Sequence, residues 1–78
     1  MNHIIVYTTT NCSHCRQVKK FLSEKGIAFE ERNIEQNNEY AKQVWDLGAR
    51  AVPVTLIGGH RIMGMNRIQF DKALAELE

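Results

Sequence analysis

The chain has 78 residues, of which 44% are apolar and 24% charged, and its ten basic and nine acidic side chains leave a net charge of +1. A chain this short reads as one domain over residues 1–78, near the lower limit of what folds alone, burying about 60–65% of its unfolded surface. The charges alternate, which leaves no field for nucleic acid or a membrane surface, and the longest early apolar run, residues 4–7, is too short for a signal or membrane-spanning segment. A cytoplasmic monomer is the expectation.

Residues 3–8 (HIIVYT) are β-branched and aromatic and predict a buried first strand, with Tyr7 closing it against the core. From about Cys12 to Lys25 the residues Cys15, Val18 and Leu22 recur at spacings of three and four, Phe21 widens that face, and Gly26 is a natural terminator, so a first helix follows. Residues 27–34 (IAFEERNI) predict a second strand. A second helix uses Tyr40, Ala41, Val44, Trp45 and Leu47 as its packing side and stops at Gly48. Residues 52–57 predict a third strand with Pro53 at its start, and the Gly58-Gly59 turn joins it to a fourth at residues 60–63. Asn66 is a good N-cap with Gln69 in capping-box position, and Phe70, Ala73, Leu74 and Leu77 form the buried face of a last helix.

The order is βαβαββα, an α/β arrangement of a four-stranded mixed sheet flanked by three helices. Strands one and two, joined through a helix, should be parallel, and the hairpin adds antiparallel strands.

The chemistry concentrates on Cys12 and Cys15. Closing so short a loop stabilises a fold by only about 2 kcal/mol before strain, so a structural staple explains the pair poorly and redox chemistry or metal binding explains it better. A cysteine at the first turn of a helix faces unpaired N–H groups and the positive end of the macrodipole, and both favour thiolate. Cys15, three residues on, lies on the same helix face roughly 5–6 Å away at Cβ, close enough for a disulfide after local adjustment. Exposed Cys12 is therefore expected to attack a substrate disulfide, and buried Cys15 to resolve the mixed disulfide, with no bound cofactor. His14, between them, either stabilises the thiolate when protonated or is a solvated side chain that shapes access. His3 and His60 read as surface strand residues rather than zinc ligands, since neither lies near the cysteines in the predicted order.

Tyr7-Thr8-Thr9-Thr10-Asn11-Cys12-Ser13-His14-Cys15, the continuation Arg16-Gln17-Val18-Lys19-Lys20-Phe21-Leu22, the segment Arg50-Ala51-Val52-Pro53-Val54, the Gly58-Gly59 turn and Gly64-Met65-Asn66 occur in an order that resembles the glutaredoxin family of the thioredoxin-fold superfamily over nearly the whole chain. The resemblance implies a thioredoxin-like fold and a thiol-disulfide oxidoreductase acting in electron transport and cell redox homeostasis. It also implies a cis bond at Pro53, where the residues alone favour trans. Val52 would then present its backbone beside Cys12 to an extended substrate or thiol. Asn11 and His14 would flank that ligand, and the start of the last helix at Gly64, Met65 and Asn66 could take a carboxylate such as that of glutathione as co-substrate.

The chain departs from glutathione-using members, which commonly have a Gly-Gly pair followed by an acid and a Lys ahead of the CxxC. A residue larger than glycine after Gly64 is more similar to NrdH-like redoxins, which take electrons from thioredoxin reductase and serve ribonucleotide reductase. Met65 reads equally as a core plug under the last helix. The partners implied are a disulfide-containing protein and either glutathione or thioredoxin reductase. Two alternatives remain. A metallochaperone-like copper or zinc carrier would require the order βαββαβ and a Met immediately before the CxxC, and an iron-sulfur scaffold bridging two chains often has a single cysteine.

Overall fold

The computed structural model describes residues 4–49 and 51–76. The elements are β1 (Ile4–Thr8), α1 (Ser13–Glu24), β2 (Glu30–Asn33), α2 (Asn38–Asp46), β3 (Val54–Ile57), β4 (His60–Met63) and α3 (Arg67–Glu76), which is the βαβαββα order. His3, Arg50 and Leu77 lie outside the described residues. The sheet runs β2-β1-β3-β4, with β1 and β2 parallel and the other two pairings antiparallel. This is the thioredoxin-like arrangement. No described helix is long and apolar enough to cross a membrane.

β1 is central, which explains its nearly continuous apolar sequence: both faces are covered. On one face Ile4 and Val6 meet Ile57 and Ile62 under Val18, Phe21 and Leu22 of α1 and Phe70 and Ala73 of α3. On the other, Tyr7 and Val54 pack with Val44 of α2 and Ala49. The strand's period of two thus splits one apolar run between two cores.

Both α1 and α2 end as the glycines predict. Gly26 and Ile27 donate to the carbonyls of Ser23 and Leu22, and Gly48 and Ala49 repeat the pattern on Trp45 and Val44, which makes two Schellman caps. Arg61 of β4 also donates from Nη1 to the Leu47 carbonyl at 2.6 Å, holding the end of α2 over the sheet. Under α2, the Arg32 guanidinium lies 5.9 and 5.5 Å from the ring centroids of Tyr7 and Tyr40, and both Arg32 and the Tyr7 hydroxyl donate to Gln43 Oε1.

Several sequence expectations need correction. Trp45 stays mostly outside the core: it keeps 62% of its surface exposed, because it lies about 100° around α2 from Val44, the buried residue of that helix. The second strand is Glu30–Asn33 rather than residues 27–34, since only that length finds a partner in β1. The third begins at Val54, where pairing with Tyr7 of β1 starts, and the Val52-Pro53 bond just before it is cis. On α3 half of the capping box forms: Asn66 Oδ1 accepts from the Gln69 backbone N–H at 3.1 Å.

The α1/α3 core holds one orphan. The Thr55 hydroxyl is fully buried, on the same face as Val6, with no hydrogen-bond partner among the described residues. Thr55→Val keeps the shape and removes the unsatisfied group, so it should stabilise the protein by about 1 kcal/mol and raise Tm by roughly 4–8 °C. Thermal unfolding checks this. A lower Tm would mean that the hydroxyl is satisfied in solution by a buried water.

Candidate active site

Three chain segments meet at one end of the sheet: the loop from β1 to α1, the turn before β3, and the turn before α3. Their meeting follows from topology, because α1 and β3 are both hydrogen-bonded or packed onto β1.

Cys12 is the N-cap of α1, with extended backbone at φ −137° and ψ 106°, and its sulfur accepts the Cys15 backbone N–H at 3.1 Å. It occupies the place where a capping serine or aspartate oxygen usually sits, so the orphan donors of the first turn face sulfur instead. Cys12 and Cys15 are joined as a disulfide, with Cα atoms 5.2 Å apart. Their environments differ: Cys15 is 1% exposed, and Cys12 is half-buried rather than fully open. Asn11 and His14 are exposed on either side, with His14 in the first turn of α1.

Val52 is half-buried and Pro53 buried, and the bond between them is cis. Pro53 is tied to the third segment by its carbonyl, which accepts the Gly64 N–H at 2.8 Å. Gly64 has φ +70°, a left-handed conformation that favours glycine, and this turn aims the start of α3 back toward the proline. Met65 follows, half-buried and packed against the α1/α3 core. Asn66 is exposed and caps α3. Among the described residues the backbone N–H groups of Asn66 and Arg67 make no hydrogen bond.

Sequence reading missed the side chains that hold this end together. Fully buried Thr8, the last residue of β1, donates to Glu31 Oε2 at 2.8 Å, and Lys19 of α1 reaches the same oxygen at 3.0 Å. Partial burial raises the Glu31 pKa, but the hydrogen bonds from Thr8 and Lys19 and the Lys19 charge outweigh it, and the net shift is downward. Glu35 accepts the Thr10 backbone N–H at 2.8 Å, which lowers its pKa and pins the loop just before Asn11 to the segment after β2. Both glutamates lie in a charged stretch with no spacing signal, and only the parallel register of β2 on β1 brings them here. Among the described residues no three His, Cys, Asp or Glu side chains gather as a metal site.

The glutaredoxin family model matches residues 4–62. The glutaredoxin-like protein NrdH of Lactococcus lactis subsp. lactis (strain IL1403) is 47% identical over 51 residues, covering 65% of this chain and 71% of that protein. The solved NrdH-redoxin of Escherichia coli, a glutaredoxin-like protein described as having a thioredoxin-like activity profile, superposes with a TM-score of 0.84 at 26% identity over 90% of this chain and 92% of its own. A buckwheat glutaredoxin-glutathione complex superposes with a TM-score of 0.75 at 27% identity, over 95% of this chain and 74% of that one.

Proposed function

The chain belongs to the glutaredoxin family of thiol-disulfide oxidoreductases, and we propose that it is a two-electron dithiol carrier for protein disulfides, in which Cys12 attacks and Cys15 resolves. The observation that carries this reading is the asymmetry of the pair: Cys12 at the helix N-terminus and partly open, Cys15 buried behind it. In the reduced protein the Cys15 N–H and the dipole of α1 favour the Cys12 thiolate. That thiolate attacks one sulfur of a substrate disulfide, the Cys12 mixed disulfide forms, and the first substrate thiolate leaves and takes a proton. Cys15 loses its proton and attacks the Cys12 sulfur, which releases the second substrate thiol and leaves the Cys12–Cys15 disulfide. Two electrons and two protons pass to the substrate, and no bound cofactor takes part.

The Val52 backbone makes no hydrogen bond among the described residues, so it is open to an extended peptide laid beside Pro53 like an added strand. For the electron source, thioredoxin reductase is the reading we favour, with ribonucleotide reductase among the substrates. Its support is Gly64-Met65-Asn66: a methionine side chain stands where close backbone approach of a small thiol's carboxylate would want glycine. The likeness to a redoxin with a thioredoxin-like activity profile agrees. Glutathione is the second reading, favoured by the open N–H groups of Asn66 and Arg67 and by the likeness to a glutathione-bound relative.

A paired assay tests the choice. Reduction of a protein disulfide with NADPH and thioredoxin reductase is expected to be on the order of tenfold or more faster than reduction of a glutathionylated peptide with glutathione and glutathione reductase, a difference of about 1.4 kcal/mol. The reverse ratio would make glutathione the donor and leave the dithiol chemistry standing. Absence of turnover in both would overturn the carrier reading.

A further inference from the structure

Between α1 and the start of α3 lies an open groove of about 310 Å³, lined by Gln17, Lys20, Phe21, Glu24, Met65 and Arg67. Its floor is apolar, because Phe21 and Met65 belong to the α1/α3 core. Its rim is cationic. The Arg67 guanidinium is 5.5 Å from the Phe21 ring centroid, so that charge is held at the groove instead of ranging through solvent. Glu24 is the one acid that lines it.

The surrounding charges are unusual for helix starts. Neither α1 nor α3 has an acid in its first turn, whereas α2 has Glu39. Arg16, Lys19 and Lys20 follow one another along the first two turns of α1, and Arg67 is the first residue of α3. Of these, Arg16 and Arg67 lie in a first turn, where a cation opposes the macrodipole at a cost of about 0.3–1 kcal/mol, so helix formation does not account for them. Lys19 is neutralised by Glu31 at 3.0 Å and Lys25 by Asp71 at 3.8 Å, while Arg16, Lys20 and Arg67 make no ion pair among the described residues. The positive field therefore remains on the side of α1 and α3 next to Cys12.

We infer that this groove docks an acidic segment of the protein that carries the substrate disulfide, its carboxylates on Lys20 and Arg67 and its apolar atoms on Phe21 and Met65. This rests on the carrier reading above and adds to it what distinguishes one protein disulfide from another. Spacing makes it specific. Lys20, the cation of α1 that lines the groove, is eight residues beyond Cys12, about 12 Å along the helix axis. An extended substrate covers that distance in about three or four residues, so the acids belong about three or four positions from the attacked cysteine.

The test uses the full chain, chemically reduced, mixed with short synthetic peptides each closed by one disulfide. The peptides carry Glu, Gln or Lys three to four positions outside the cysteines, and protein oxidation is followed by acid quench and mass spectrometry. The Glu peptide should react on the order of tenfold faster than the Gln peptide at low ionic strength, and the gap should close as salt approaches 1 M, where the screening length is about 3 Å. Lys20→Glu and Arg67→Glu should each remove that preference and favour the Lys peptide, and Lys20→Glu should leave the rate for uncharged bis(2-hydroxyethyl) disulfide little changed. Lys72→Glu, which makes the same change in net charge in the separate hollow between β4 and α3, should leave the preference intact. Equal rates for Glu and Gln peptides, or a Lys72→Glu effect as large as that of Lys20→Glu, would overturn the inference. Failure of every disulfide, small or peptide, to oxidise the protein would instead remove the carrier reading beneath it.

Discussion

Cys12→Ser is expected to reduce disulfide turnover by on the order of 10³-fold or more, because serine is a poor nucleophile at neutral pH and its alkoxide is not reached even at the start of a helix. Cys15→Ser should fail differently. Cys12 remains a thiolate at the N-cap of α1, so the first exchange proceeds and the mixed disulfide accumulates instead of resolving. Intact mass spectrometry after mixing with a protein disulfide separates the two variants: no adduct for Cys12→Ser, and one substrate chain per protein for Cys15→Ser. An adduct on Cys15 in the Cys12→Ser variant would reverse the assigned roles, and burial of Cys15 at 1% exposure is the reason not to expect it.

Phe70→Ala should bring the fold close to its limit. The Phe70 ring is fully buried and tilts against Phe21 with centroids 5.3 Å apart, and together they join α3 to α1 over the sheet. Removing a buried phenylalanine ring costs about 3–5 kcal/mol, against a total of roughly 4–12 kcal/mol for a chain of this length. Urea unfolding should therefore show a midpoint lowered by about a quarter or more of its value, with an unchanged m-value. Ile68→Ala on the same helix, at a position 79% exposed, should change stability by no more than about 0.5 kcal/mol. A Phe70→Ala loss as small as that of Ile68→Ala would mean that α3 does not close the core. The two effects are linked to function, since Met65 and the Gly64 turn are carried by the chain that α3 anchors.

Tyr7 and Trp45 illustrate how far pattern alone reaches. Tyr7 is the last apolar residue of the β-branched run in β1, and it is buried between Val54 and the end of α2 as that run predicts. Trp45 belongs to an apolar set on α2, but a nine-residue helix offers the sheet only one narrow stripe, and Val44 takes its centre. Hydrophobicity marks the helix as amphipathic, yet the helix's rotation on the sheet decides which large side chain stays outside. The observed order βαβαββα likewise differs from the βαββαβ order of the metal-carrier alternative.

By itself the sequence determined the element order, both Schellman glycines, the hairpin at Gly58-Gly59, and the place of Cys12 and Cys15 at a strand-to-helix junction. These depend on local periodicity, turn chemistry and capping, which act within a few residues of one another. Tertiary structure alone decided the Thr8–Glu31–Lys19 and Thr10–Glu35 links, the Pro53–Gly64 bond that joins two turns of the site, and the cationic groove between Lys20 and Arg67. Their partners are 11 to 47 positions apart in the chain, and no local preference encodes which pairs will meet. That is set by strand register and by how helices lie on the sheet, through burial that only the closed core supplies.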